Sequence, residues 1–211
     1  MVAMFEDRED AGLRLCPKLK KFLNKKDCIV IGLTRGGVVT AKEISSFLKL
    51  PLRVLVVKKI GAPGNPELAI GAIVSSKDTY WDLKLLRSFK VSEIEKKVLV
   101  FRKLKEVSAL QKILKIKNQE KEFKNKTVIL VDDGVATGAS VIAAAKYLKR
   151  VKAKNIILAA PVIAADTLVN IKRYFDTVIY LEKRKDFYAV GQFYYNFDEI
   201  SDEKVARILG V

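Results

Sequence analysis

Residues 128–140, Val-Ile-Leu-Val-Asp-Asp-Gly-Val-Ala-Thr-Gly-Ala-Ser, set two carboxylates directly before a run of small and hydroxyl-bearing residues. The four apolar residues predict a buried strand that delivers Asp132 and Asp133 to its tip. Gly134, Val135, Ala136, Thr137, Gly138, Ala139 and Ser140 then predict a tight turn entering a helix. Small residues let backbone amides close around a phosphate, and a helix N-terminus favours the anion. Thr137 and Ser140 add hydroxyl donors. Adjacent carboxylates would repel that phosphate unless a diol or a divalent cation engages them. The chemistry that fits is sugar-phosphate recognition, with the phosphate in the loop and ribose hydroxyls on the carboxylates. The ordinary alternative is a helix capped by Asp133.

A second anion site would complement the first. Thr34-Arg35-Gly36-Gly37 follows an apolar run and precedes a helical one. Its glycines allow close backbone approach, and Arg35 offers a fork of donors. Lys58 and Lys59 are expected to end the second core strand, where they would add positive charge. Residues 59–72 hold two prolines and three glycines, a composition suited to a loop of defined path. Glu67 within them is a candidate for handling a metal or a proton.

These residues need a frame. Strands are predicted at Cys28–Leu33, 52–57, 128–131, 156–160 and 178–181, with a loop and then a strand or hairpin over 61–76. Helices are predicted at 38–48, 91–122, 139–150 and 166–174. In the second of these, Ile94, Val98, Phe101, Leu104, Val107 and Leu110 recur at helical spacing. The alternation predicts an α/β protein with an open, mostly parallel sheet covered by helices on both faces. In such sheets ligands bind beyond the carboxyl ends of the strands, where both loops fall.

The chain contains no histidine, which excludes serine–histidine triads, imidazole acid–base steps and histidine zinc sites. Cys28 opens an apolar run and reads as a core residue. The net charge of +16 favours anionic partners. A lysine-rich, heat-adapted surface explains most of it. The lysines are spread along the whole chain, with no basic arm, so a nucleic-acid partner is not expected. No run is long and apolar enough to span a membrane, and the acidic N-terminus does not read as a signal peptide. A cytoplasmic protein is expected.

Residues 128–140 resemble the signature of type I phosphoribosyltransferases. The segment 59–72, Phe-x-Asp-Arg-x-x-Ala-Gly at 5–12 and Phe-Tyr-Ala-Val-Gly-Gln-Phe-Tyr at 187–194 resemble a group of uncharacterised prokaryotic members. The resemblance implies the type I phosphoribosyltransferase fold in one domain over 1–211, with a small hood from about 1–25 and 183–211. It implies magnesium-dependent transfer of phosphoribosyl from phosphoribosyl pyrophosphate to a nucleobase-like nitrogen acceptor, with pyrophosphate released. Asp132 and Asp133 would hold the ribose hydroxyls and Mg²⁺, and residues 134–140 the 5′-phosphate. Thr34, Arg35, Gly36, Gly37, Lys58 and Lys59 would hold the pyrophosphate, with Arg35, Lys58 and Lys59 the catalytic cations. Tyr188, three residues before Gly191, would stack on the base, with Phe187 the alternative. Ala136 replaces the aspartate of several purine-type members and disfavours a hypoxanthine–guanine assignment. A homodimer is expected. The alternative is a phosphoribosyl pyrophosphate-sensing regulator that binds nucleic acid.

Overall fold

The computed structural model describes residues 4–211, so Met1, Val2 and Ala3 of the expected hood lie outside the described residues. The elements run α1 (Arg8–Leu19), β1 (Cys28–Leu33), α2 (Gly36–Leu48), β2 (Leu52–Leu55), β3 (Lys58–Ala62), β4 (Asn65–Ser75) and β5 (Asp78–Trp81). They continue α3 (Leu83–Ser88), α4 (Glu93–Ile113), α5 (Glu120–Phe123), β6 (Thr127–Val131), α6 (Ala139–Arg150), β7 (Asn155–Ala164), α7 (Ala165–Ile171), β8 (Thr177–Arg184) and α8 (Asp202–Leu209).

Five strands form one parallel sheet in the order β2-β1-β6-β7-β8. Every residue of β1 and β6 is buried, because helices cover both faces and leave no polar side to the strands. On one face Leu15, Cys16 and Leu19 of α1 and Ile44 and Leu48 of α2 pack over Val30, Ile129 and Val131. On the other, Val141, Ala144 and Leu148 of α6 pack over Ile31, Val128 and Leu130. Full burial of each large aliphatic side chain contributes about 1.5–3 kcal/mol. Cys16 and Cys28 are free thiols in this core, and burial raises both pKa values, Cys16 to about 11.

The chain order reverses at β1. From there it steps out to β2 on one side and on through β6, β7 and β8 on the other. The crevice beyond the carboxyl ends of β1 and β6 is therefore the switch point, where this class of sheet binds ligands.

Two expectations change. Lys58 and Lys59 do not end the second core strand. β2 stops at Leu55, and the two lysines open β3 of a separate antiparallel sheet, β3-β4-β5. An ion pair between the exposed Arg150 and the buried Asp78, Nε to Oδ1 at 2.9 Å, ties that sheet to the end of α6. The expected long helix is two helices, α4 and α5, and its apolar stripe divides. Val107 and Leu110 are buried against β3 and β4, whereas Ile94, Val98 and Phe101 are exposed. In the N-terminal half of α4, Leu99 and Val100 still pack on the core of the small sheet, and the exposed residues lie on the opposite side of the helix. Its start is held locally, by a capping box between Ser92 and Glu95.

Candidate active site

β6 ends at Val131, and the chain turns through Asp132 and Asp133 into the loop before α6. Gly138 takes φ +79°, left-handed backbone that favours glycine, and starts the helix. The loop is pinned from both sides. Val135 NH donates to Val162 O at 2.9 Å, Ala164 NH to Val135 O at 2.9 Å, and Thr167 Oγ1 to Ala136 O at 2.5 Å. Thr167 has no signature in the sequence; only the approach of α7 shows its role. A small concave space is lined by Asp132, residues 134–141, Lys59 and Val190.

The second loop lies across the switch point. Gly36 and Gly37 open α2 so close to the aspartates that side chains do not fit. A Cβ at Gly36 would overlap the Asp133 carboxylate, and one at Gly37 would lie 2.6 Å from Val131 O and 2.9 Å from Asp132 Cα. The two expected anion sites therefore adjoin each other. The Thr34–Arg35 peptide is cis.

The cations of the set point in different directions. Lys59 faces Asp132 closely enough to stabilise its charged form. Lys58 lies 3.9 Å from Glu106 and, with Thr34, Arg35 and Gly36, lines a cleft of about 470 Å³. Arg35 reaches the C-terminal segment instead, with Nη1 2.7 Å from Glu199 Oε1 and Nε 2.8 Å from Asp202 Oδ1. Glu67 lies in β4, and its side chain is outside the described part.

Burial, and then the neighbouring Asp133 carboxylate, push the Asp132 carboxyl well above the ordinary range, with Lys59 opposing. Asp133 is held by a residue that the motifs did not assign. Arg8 Nε donates to Asp133 Oδ2 at 2.7 Å, Arg8 Nη1 donates to Asp198 O at 2.9 Å, and the guanidinium lies 3.7 Å from the Phe197 ring centre. Arg8 is buried. The Tyr194 hydroxyl donates to Asp133 O at 2.5 Å, and burial followed by Asp133 raises its pKa. The only hint in the sequence is the position of Arg8 within the 5–12 motif.

Of the two candidate base-stacking rings, Phe187 packs on Phe193 at 4.9 Å, while Tyr188 is 84% exposed. Its turn is shaped by Gln192, whose Oε1 accepts from Tyr188 NH at 2.8 Å and Ala189 NH at 3.0 Å. Val190 of the same turn packs on Gly134, which brings this segment beside the phosphate loop.

The family model described as the phosphoribosyl transferase domain matches residues 8–198. A Mycobacterium tuberculosis relative, provisionally named a phosphoribosyl transferase, is 34% identical over 98% of this chain and 46% of its own length. The chain thus spans about half the length of the curated relatives it matches. The crystal structure of TT1426 from Thermus thermophilus superimposes with a TM-score of 0.72 at 33% identity, covering 98% of this chain and 97% of that one. A Staphylococcus aureus hypoxanthine phosphoribosyltransferase shares the fold, with a TM-score of 0.51 at 13% identity over 88% of this chain and 78% of that one.

Proposed function

The chain belongs to the phosphoribosyl transferase domain family, and from that premise we propose that it transfers phosphoribosyl from phosphoribosyl pyrophosphate to a nucleobase-like nitrogen acceptor. The observation that carries this reading is the meeting of two glycine-bearing loops, 34–37 and 132–140, at the switch point. Such a pair suits a substrate with a phosphate at one end and a pyrophosphate at the other.

Breaking the bond from C1 to pyrophosphate leaves positive charge on the ribose and negative charge on the leaving group. Catalysis then needs charge neutralisation and an aligned acceptor, and no covalent enzyme intermediate. In this reading the amides and hydroxyls of 134–140 hold the 5′-phosphate, while Asp132 and Asp133 orient the ribose through its hydroxyls. Thr34, Gly36 and Gly37 present backbone to the pyrophosphate, and Lys58 and Lys59 offset its charge. Arg35 joins them by exchanging Glu199 and Asp202 for the leaving group. Tyr188 covers the base.

Among the described residues no three metal-ligating side chains cluster. Asp132 and Asp133 are the carboxylates available, and one oxygen of Asp133 faces Arg8. That donor set fits a cation held mainly by substrate oxygens better than one caged by protein. Mg²⁺ bound there would neutralise the departing pyrophosphate.

The test is to incubate the protein with Mg²⁺, phosphoribosyl pyrophosphate and a panel of bases, and to measure pyrophosphate. Base-dependent release is expected. Tight substrate binding without release for any base would overturn transfer in favour of a sensor.

A homodimer and a cytoplasmic location go with this reading. The exposed stripe of Ile94, Val98 and Phe101 supports the dimer. Phe101→Glu is expected to shift the sedimenting species towards monomer, and an unchanged dimer would remove this face from the interface.

A further inference from the structure

We propose that the edge of the large sheet opposite the substrate cleft is a nucleic-acid docking face, on which Lys25, Lys26, Lys124, Lys152 and Lys154 grip a duplex backbone. These lysines are far apart in sequence. Parallel strands, however, all start at the same edge, so the turns that precede β1, β6 and β7 come together there. The turns are joined directly. Thr127 NH donates to Asp27 O at 2.9 Å, Lys154 NH to Lys126 O at 2.8 Å, and Asn125 NH to Lys152 O at 2.9 Å. Lys126 Nζ adds a bond to Lys26 O at 2.9 Å.

Neighbouring strands lie about 4.8 Å apart, so the three turns present their exposed lysines across roughly 10 Å. The five lysines are solvent-exposed, and none is in a salt bridge with a described residue. Three acids accompany them, of which Glu122 is paired with Arg53. Asp176 is engaged internally, its Oδ2 accepting from Ile156 NH at 2.7 Å, whereas Asp27 is exposed. A concavity of about 320 Å³ opens between Lys21, Lys25 and Lys154.

At the opposite end the charges are largely paired: Arg14 with Asp10, Lys204 with Glu9, and Arg35 with Glu199 and Asp202. A polyanion drawn to the basic edge leaves the substrate cleft open.

The surface chemistry favours a duplex. The aromatic rings of these turns, Phe22 and Phe123, are buried, so the face offers them to no unpaired base. Leu23 is the one large apolar side chain exposed in residues 22–27, 124–126 and 152–154, too little for insertion into a lipid surface. Asn24 and Asn125 are exposed beside the lysines and can donate to phosphate oxygens.

The test follows the anisotropy of a short fluorescein-labelled DNA duplex of arbitrary sequence across a salt series. Binding is expected, with log affinity falling linearly against log salt at about 0.9 per phosphate neutralised. Combining Lys25→Gln, Lys124→Gln, Lys152→Gln and Lys154→Gln should weaken binding at least about tenfold. It should also lower the slope by roughly 0.9 for each phosphate no longer neutralised. Combining Lys84→Gln, Lys90→Gln, Lys97→Gln and Lys105→Gln removes the same charge from α3, α4 and the turn between them, and should leave most of the affinity. Pyrophosphate release or substrate binding, whichever the wild type shows, should be equal in wild type and in both variants. Absence of duplex binding would overturn the proposal, as would equal losses in the two variants, which indicate diffuse charge alone. Binding to vesicles of anionic phospholipid but not to the duplex would overturn it in favour of a membrane.

Discussion

Replacing Asp132 and Asp133 together by asparagine is expected to weaken phosphoribosyl pyrophosphate binding roughly 100-fold. Each substitution removes a charged acceptor, a loss of about 1.5 kcal/mol apiece, and the resulting total of about 3 kcal/mol corresponds to about two decades of affinity. Titration calorimetry with Mg²⁺ present measures it, and unchanged affinity would show that the aspartates do not touch the ligand.

The single change Asp132→Asn should at the same time stabilise the ligand-free protein at pH values above the ordinary carboxylate range. Burial and Asp133 raise the Asp132 pKa in the folded state. The native state therefore binds a proton that the unfolded chain has already released. Stability from this group is present at low pH and is lost as pH rises through the folded pKa. Asparagine cannot ionise, so the melting temperature of the variant should exceed that of the wild type by a margin that grows as pH rises from the ordinary carboxylate range to the raised folded pKa and is constant above it. A variant less stable at high pH would contradict the burial argument. Loss of binding with gain of stability marks a residue kept for its site.

Arg8→Ala is expected to destabilise the fold by about 3 kcal/mol, because it leaves the Asp133 carboxylate in a half-closed site without its cation. The pair is well shielded, with Arg8 and Asp133 side chains 9% and 13% exposed. For a chain of this size the melting temperature should fall by roughly 6–12 °C. The substitution also removes the donor to Asp198 O and the guanidinium on Phe197, so melting alone does not isolate the ion pair. A double-mutant cycle with Asp133→Asn does. In that background the cost of Arg8→Ala should shrink by at least about 1 kcal/mol. Equal cost in both backgrounds would mean that Arg8 acts through packing alone, and the positioning role would fall. The same cycle read by substrate affinity separates orientation of Asp133 from general stability, since a packing role would leave the affinity of the folded fraction unchanged.

Much of this molecule is legible from local sequence. The run Val128–Val131 and the small residues after it specify a buried strand, a phosphate-sized turn and a helix, and α6 begins and ends at Ala139 and Arg150 as its periodicity indicates. The β1–α2 unit is equally plain, because burial on both faces leaves an uninterrupted apolar run and Gly36–Gly37 mark the turn. Hydrophobic period and turn chemistry act over a few residues, so a single sequence reveals them.

Partners across the chain are another matter. Arg8 and Asp133 are 125 residues apart, and no period links them; they meet because α1 packs over the sheet with its first turn at the strand tips. Arg35 has the right chemistry for a leaving group, yet the approach of α8 gives it Glu199 and Asp202 as companions. The stripe on α4 has two fates, since its three- and four-residue steps drift round the helix: Val107 and Leu110 share the sheet-facing side with Leu99, Val100 and Leu104, whereas Ile94, Val98 and Phe101 face away. The lysines read as scattered until parallel topology collects the turns before β1, β6 and β7 on one edge. Residue types and spacing determined which chemistry the chain can offer. Strand order and helix packing decided which groups face each other, because those distances are set by the fold and not by neighbours in sequence.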